Sequence, residues 1–384
     1  MPTDRAGSAM PTSVPASSHC DADAHALSAT VSAIFERLGV AQADAVRVAD
    51  TLVEADMEGV PSHGVMLVPM YAQRLRDGSV TTASRATVVS DNGGCVVLDA
   101  ANMLGQLSAF HAVALARERA GTHGIGAVAV RNAFHFGAAG LYARALASDD
   151  CIGIVMSNTR PLMPAPGGAQ RVVGNNPLAI ALPGADDIPV ELDMAMSASA
   201  MGKIRLAAAA GREIPAGWAT DAHGRPTTDA AAALAGMLLP AAGPKGFGLA
   251  FMVDMLCGGL SGGGTGEAVQ PLYGDSARPY NCAHFFLAID VAHFGDAGAF
   301  ARTVSQAAAG VRNSHRAPGT ERIYSPGEIG WAKRHEHGST CHVDRAVLTE
   351  IVGVARALPA AIPPSIANLT DHTDHTDHTD HTDK

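Results

Sequence analysis

The sequence predicts a mixed α/β fold with a helical N-terminal part, on three observations. Apolar residues recur at helical spacing through the first eighty residues or so. Four short β-rich runs follow: IGAVAV (125–130), IGIVM (152–156), PLAIALP (177–183) and PVELDM (189–194). With 384 residues, 47% of them hydrophobic, the chain can also bury a large core.

Taken in order, residues 1–22 are rich in Ser, Pro and Ala and are expected to be disordered. Leu27, Val31, Ile34, Phe35 and Leu38 mark a first helix. Val48, Leu52 and Val53 mark a second, stopping at Gly59, and MYAQRLRDG a third, stopping at Gly78. VVSDNGGCVVLDA reads as a hairpin turning at Asp91 to Gly94, and GQLSAFHAVALARERAG as a helix ending at Gly121. A helix at 137–149 separates the first two β runs. KGFGLAFMVDMLCGGL reads as an apolar helix closed by glycines and HFFLAID as a strand, with two later helices at roughly 297–312 and 343–358. The expected organisation is a helical part at 23–120 packing with the C-terminal helices, an α/β core at 121–312, a C-terminal helical part at 313–360 and a disordered tail at 361–384. The closing TDHTDHTDHTDHTDK has no apolar side chain to place in a core.

Composition narrows the partners. Only 17% of residues are charged and 4% aromatic, with a formal charge of −10 and a pI near 5.9. That balance argues against nucleic acid and anionic lipid, which need clustered Lys and Arg or stacking aromatics, and in favour of small molecules. The six cysteines are scattered without a CxxC pair and read as reduced thiols, so no metal site is expected. No window approaches a membrane span and no secretory apolar segment opens the chain, which makes the cytoplasm the expected location.

Two motif matches fail on context. GIGAVA (124–129) fits a dinucleotide fingerprint but follows a helix and enters a strand, the reverse of what pyrophosphate binding needs. GLSGG (259–263) fits a nucleophile elbow at Ser261, the basis of a weaker serine-hydrolase alternative, but follows an apolar helix instead of a strand. In the stretch ADMEGVPSHGVM, His63 sits beside Ser62 at a bend set by Gly59 and Pro61. It reads equally as a helix-cap region or as a proton-exchanging site, since imidazole titrates near neutral pH. NAFHFGAAG places His135 before Gly137 and a helix start able to hold an anion. ELDMA places Asp193 at a strand end, and LPAAGPKGFGL places Lys245 at a helix start.

These segments, in this order over roughly residues 25–355, resemble the type-2 malate/L-lactate dehydrogenase family. D-x-x-G-x-x-SHG, HFGAAG, G-x-NPLA, LDMA-x-S, GWATDAHGRPTTD and LPAAGPKGFGL carry the resemblance, and the last two, with PLYGD and IYSPGE, look closest to its ureidoglycolate branch. The resemblance implies a non-Rossmann oxidoreductase fold with a largely antiparallel central sheet, an intertwined homodimer, and NAD or NADP as cofactor bound in the 121–312 core. It implies His63 as acid/base in a relay with Ser62 and Asp193, and His135 as a second acid/base candidate. It further implies a cofactor held by His135, Phe136, Gly137, Ala138 and Ala139, by Thr159, by Asp193, Met194 and Ala195, by Lys245, and by Pro326, Gly327 and Glu328. The reaction implied is hydride transfer on a 2-hydroxy/2-oxo acid of malate, lactate or ureidoglycolate type. A neutral imidazole would take the alcohol proton as hydride leaves the same carbon.

Three departures bear on this. Leu67 stands where the family commonly has an arginine to clamp a substrate carboxylate. Either Arg74, Arg160 or Arg278 is expected to substitute or the substrate to present a different group there, with Ser62 and Arg74 as substrate contacts. Met196 and Asn175 each replace a threonine near the expected cofactor site. Leu67 and Met196 motivate the alternative of a catalytically altered homologue serving as a binding or structural subunit. Arg160 beside Thr159 leans towards NADP.

Overall fold

The computed structural model describes residues 19–371. The expected disorder of residues 1–18 and the repeat beyond residue 371 lie outside the described residues. The expectation fails at both inner margins. His19–Asp23 form strand β1, paired antiparallel with a strand at Thr340–Asp344, and Pro364–Asp371 form a closing helix. That helix buries Ile366 in the main core, apolar chemistry that the neighbouring polar repeat had masked.

Helices α1 (Ala24–Arg37), α2 (Gln42–Met57) and α3 (Val68–Arg76) open the fold. Asp23 caps α1 by accepting the Ala26 N–H at 2.8 Å. Between α2 and α3 the chain makes two 3₁₀ turns, Pro61–His63 and Val65–Leu67. Strands β2 (Thr87–Asn92) and β3 (Cys95–Asp99) form the expected hairpin. Helix α4 (Gly105–His123) passes the expected stop at Gly121 and ends at Gly124, whose φ of 81° supplies the left-handed cap. Next come β4 (Ile125–Ala133), α5 (Ala139–Ala147), β5 (Cys151–Ser157), the short β6 (Met163–Pro164) and β7 (Arg171–Val173), β8 (Leu178–Leu182) and β9 (Val190–Met194).

A smaller lobe holds α6 (Met201–Ala209), α7 (Ala230–Ala235) and two-residue strands β10 (Ala219–Thr220), β11 (Pro226–Thr227) and β12 (Met237–Leu238). Helix α8 (Pro244–Asp254) runs into a π-turn at Met255–Gly259. Then β13 (Cys282–Asp290), α9 (Ala297–Arg312), α10 (Glu328–His337), β14 (Thr340–Asp344), α11 (Arg345–Ala357) and α12 (Pro364–Asp371) complete the described residues.

The central sheet has seven strands in the order β2-β3-β4-β13-β5-β8-β9, and only the β3–β4 pair is parallel. It is therefore largely antiparallel, and its order matches no nucleotide-binding βαβ arrangement. The hairpin from the N-terminal part belongs to this sheet, so a boundary at 120 cuts through it. Gly126 on β4 packs against the Ala116 carbonyl of α4, which explains the second glycine of GIGAVA as helix–strand packing, the first being the cap of α4. Helix α11 packs against α1 and α3, joining the C-terminal helices to the N-terminal ones. Among the described residues no helix is long and apolar enough to cross a membrane.

Candidate active site

The SHG turn is held from beneath. Helix α2 ends at Gly59 with φ 77°, and Asp56, only 7% exposed, accepts the Val65 N–H at 2.7 Å. A Cβ on Gly64 would overlap the Asp56 carboxylate, so the glycine of SHG is a steric requirement. Few other groups are available to that carboxylate, and burial pushes it up to about 7 against the pull of the Val65 N–H.

His63 and His135 come together with ring centroids 5.6 Å apart and planes 24° apart. Each ring is tied at Nδ1 to a hydroxyl: His63 to Ser62 Oγ at 2.9 Å, His135 to Tyr71 Oη at 2.8 Å. The Nε2 atoms have no hydrogen-bond partner among the described residues. Burial lowers both imidazoles below the usual histidine range. For His63 the field of Asp193 opposes this, whereas His63 and His284 reinforce it for His135, which falls to about 3. Both rings are therefore neutral near pH 7.

Asp193 lies at the end of edge strand β9, close enough to His63 for mutual electrostatic influence, but no hydrogen bond joins them. Its Oδ2 instead accepts the Gly140 N–H at 2.7 Å, in the first turn of α5. This corrects two expectations at once. The Ser62–His63–Asp193 group is linked through space at its second step, and an N–H expected to meet a phosphate already faces a carboxylate. Protein crowding raises the Asp193 carboxyl, and Gly140, His63 and Arg144 counter it.

A narrow cavity beside His63 is walled by Gln106, Phe136, Gly137, Ala138 and Leu141. Gly137 has φ 85°, and its absent Cβ leaves the backbone open towards the His63 carbonyl. Gln106 is fully buried, donates to Tyr71 Oη at 3.3 Å, and leaves its Oε1 without a partner. Sequence reasoning missed both Tyr71 and Gln106. Tyr71 had a signal, standing on the face of α3 that follows the SHG turn, and Gln106 had none.

Other expected residues separate. Thr159 belongs to a loop network, its Oγ1 donating to Asn175 Oδ1 at 2.9 Å and its N–H to Asn176 Oδ1 at 2.8 Å. Met194 and Ala195 follow Asp193 at the sheet edge, and Lys245 is exposed at the start of α8. Pro326 and Gly327 lie against β9, the Pro326 carbonyl accepting the Glu191 N–H at 3.2 Å. Glu328 is corrected: it is fully buried, and its carboxylate accepts from the Ser325 N–H and hydroxyl and from Arg322, so both oxygens are engaged in the turn ahead of α10. Arg74 is corrected too. It is 1% exposed and donates to the Pro271, Leu272 and Arg278 carbonyls and to Ser79, leaving no fork for a substrate.

Leu67 and Met196 are each buried, in two separate apolar clusters. Ser261 is buried and donates to the Gly258 carbonyl at 3.2 Å, which removes the basis of the hydrolase alternative. Among the described residues no cluster of His, Cys, Asp and Glu is suited to a metal.

Residues 22–352 match the profile of the malate/L-lactate dehydrogenase family. The chain is 38% identical over 306 residues to malate dehydrogenase of Pyrococcus horikoshii, covering 78% of this chain and 84% of that one. It is 35% identical over 291 residues to the NAD(+) ureidoglycolate dehydrogenase of Escherichia coli K12, covering 76% and 82%. Overall identity therefore does not single out the ureidoglycolate branch. The solved sulfolactate dehydrogenase from Methanocaldococcus jannaschii superposes with a TM-score of 0.85 at 33% identity, covering 89% of this chain and 98% of that one. Motifs, sheet order and whole-chain similarity agree: this protein belongs to the malate/L-lactate dehydrogenase family of oxidoreductases.

Proposed function

We propose that the chain transfers hydride between NAD or NADP and a small 2-hydroxy/2-oxo acid, of malate, lactate or ureidoglycolate type. The observation that carries this reading is the pair of neutral imidazoles with free Nε2 atoms beside Asp193 and the open Gly137 backbone. The residues fit a nicotinamide. The buried and unpartnered Gln106 Oε1, beside the open Gly137 backbone, is an acceptor suited to a carboxamide N–H, and Gly137, Ala138, Asp193 and Lys245 are the groups assigned to hold the cofactor. When bound, the nicotinamide supplies the hydride acceptor or donor.

In this reading His63 takes the substrate hydroxyl proton at Nε2 during oxidation and returns it during reduction. Ser62 holds the ring orientation through Nδ1, and Asp193 stabilises the imidazolium that forms. His135, fixed by Tyr71 and held neutral, donates or accepts a hydrogen bond at the substrate oxygen. Arg160 is the substrate-carboxylate group. It is half-buried, and its guanidinium makes no hydrogen bond or ion pair with a described residue. Burial first, and then the nearby Arg171 and Arg205, lower its pKa against the pull of Tyr280. Arg278 is exposed, and its carbonyl is held by Arg74. Homodimer formation is supported by an apolar face of α8 and the π-turn, where Leu249, Phe251, Met252 and Leu256 are exposed at helical spacing, continued by Leu260 just beyond. Sedimentation analysis tests that part.

A panel of 2-oxo acids assayed with NADH and NADPH tests the function, together with NAD(P)H fluorescence titration of the purified chain. Turnover of at least one acid is expected, and no binding of either cofactor would end the reading.

A further inference from the structure

Three motif segments far apart in sequence meet around a side chain that none of the motifs singled out. Arg144, on α5, donates from Nη1 to Glu191 Oε1 at 2.6 Å and from Nη2 to Glu58 Oε1. Glu58 immediately precedes Gly59 at the entry to the SHG turn, and Glu191 shares β9 with Asp193. The same Glu191 receives the IYSPGE segment, through the Pro326 carbonyl and through Gly327, where a Cβ would press into its side chain. Helix α5 itself begins at the HFG turn. One guanidinium therefore ties together the backbone segments that carry His63, His135 and Asp193.

The three side chains are mostly enclosed, with 22% of Arg144, 15% of Glu58 and 11% of Glu191 exposed. Enclosed ion pairs contribute little net stability after desolvation, whereas a planar two-pronged fork sets direction and register. The balance of charge is also uneven. One cation faces two carboxylates, Glu191 Oε2 has no partner, and Asp193 shares the field of Arg144.

We propose that Arg144 is a positioning residue: its fork between Glu58 and Glu191 locks the SHG turn to β9 and so fixes His63 in register with Asp193. This rests on the assignment of His63 and Asp193 to the hydride-transfer reaction.

The test uses the full chain with Arg144→Lys, Arg144→Met and the triple variant Arg144→Met/Glu58→Gln/Glu191→Gln. The triple variant removes the stranded carboxylates, so it stays informative if Arg144→Met alone fails to fold. Four quantities are read: thermal stability, NAD(P)H affinity by fluorescence, the pH profile of kcat, and the rate of His63 carbethoxylation by mass spectrometry. A displaced catalytic turn should lower kcat by about 10- to 100-fold in the Met and triple variants, with cofactor affinity nearly unchanged and His63 labelled faster. In Arg144→Met the acid limb of the profile should move to higher pH, because Asp193 then holds its proton longer. Arg144→Lys should restore the acid limb but only part of kcat, since the charge returns without the fork.

Wild-type kcat, profile and labelling in a folded Met or triple variant would overturn the proposal. If the unaltered chain turns over no 2-oxo acid, the functional reading fails separately. His63 labelling then still decides the positioning role: faster labelling in the variants supports it and equal labelling overturns it.

Discussion

Replacing Asp56 by Asn should make the protein more stable at pH 8 than the unaltered chain while changing little near pH 4. Asp56 is 7% exposed and its carboxyl is raised from 3.8 to about 7, chiefly by burial. Between those two values the folded chain keeps a proton that the unfolded chain has released. Stability is thus fully present below about pH 3.8 and is lost as pH rises towards 7, after which it levels off. At about 1.4 kcal/mol per pH unit, the whole window is worth roughly 4 kcal/mol, and the part between pH 5 and pH 8 about 3 kcal/mol. Asparagine keeps an oxygen for the Val65 N–H and cannot ionise, so it escapes this loss. Thermal unfolding of both proteins by circular dichroism at pH 5 and pH 8 should show the difference in Tm growing by several degrees in favour of the variant at pH 8. Parallel pH dependences would refute the argument, since they would mean that the folded protein ionises Asp56 as readily as the unfolded chain does.

The remaining predictions concern the proposed chemistry. His63→Asn should lower kcat by about 100-fold or more, the scale of losing a general acid/base, while NAD(P)H titration shows cofactor affinity nearly intact; retention of most turnover would move the role to His135. Asp193→Asn should lower kcat and also move the acid limb for alcohol oxidation to lower pH, because the carboxylate raises the His63 pKa and its loss leaves burial unopposed; a pH–rate profile reads this directly. Arg160→Gln should raise KM for the acid substrate by about 10- to 100-fold, as expected for removing a charge-assisted hydrogen bond worth about 1.5–3 kcal/mol. An unchanged KM would place the carboxylate elsewhere.

Much of the fold was legible because strands and helices here follow their periods. The runs at 125–130, 152–156, 177–183 and 189–194 correspond to β4, β5, β8 and β9, and HFFLAID to β13. What escaped had weak local signals. β1 and β14 stabilise each other across the whole chain, and neither carries an apolar run that marks it alone. Helix α10 is polar, with Trp331 among charged residues, and α12 adjoins a polar repeat.

The site divides in the same way. The spacing within SHG and HFGAAG marked both histidines, yet their ring contact is a product of tertiary structure. Arginines were the hardest to place, because the guanidiniums of Arg74, Arg144 and Arg160 have entirely different surroundings that a single letter does not reveal.

The Arg74 arrangement has a practical consequence for anyone surveying charged positions by mutagenesis. This guanidinium gathers the 271–278 loop by its carbonyls from a residue on the helix just after the SHG turn. Its loss would free that loop close to the reaction centre and depress turnover, and kinetics alone would mimic a missing substrate contact. Limited proteolysis across 271–278 would tell the two apart, because an untethered loop is cut faster whether or not substrate is present.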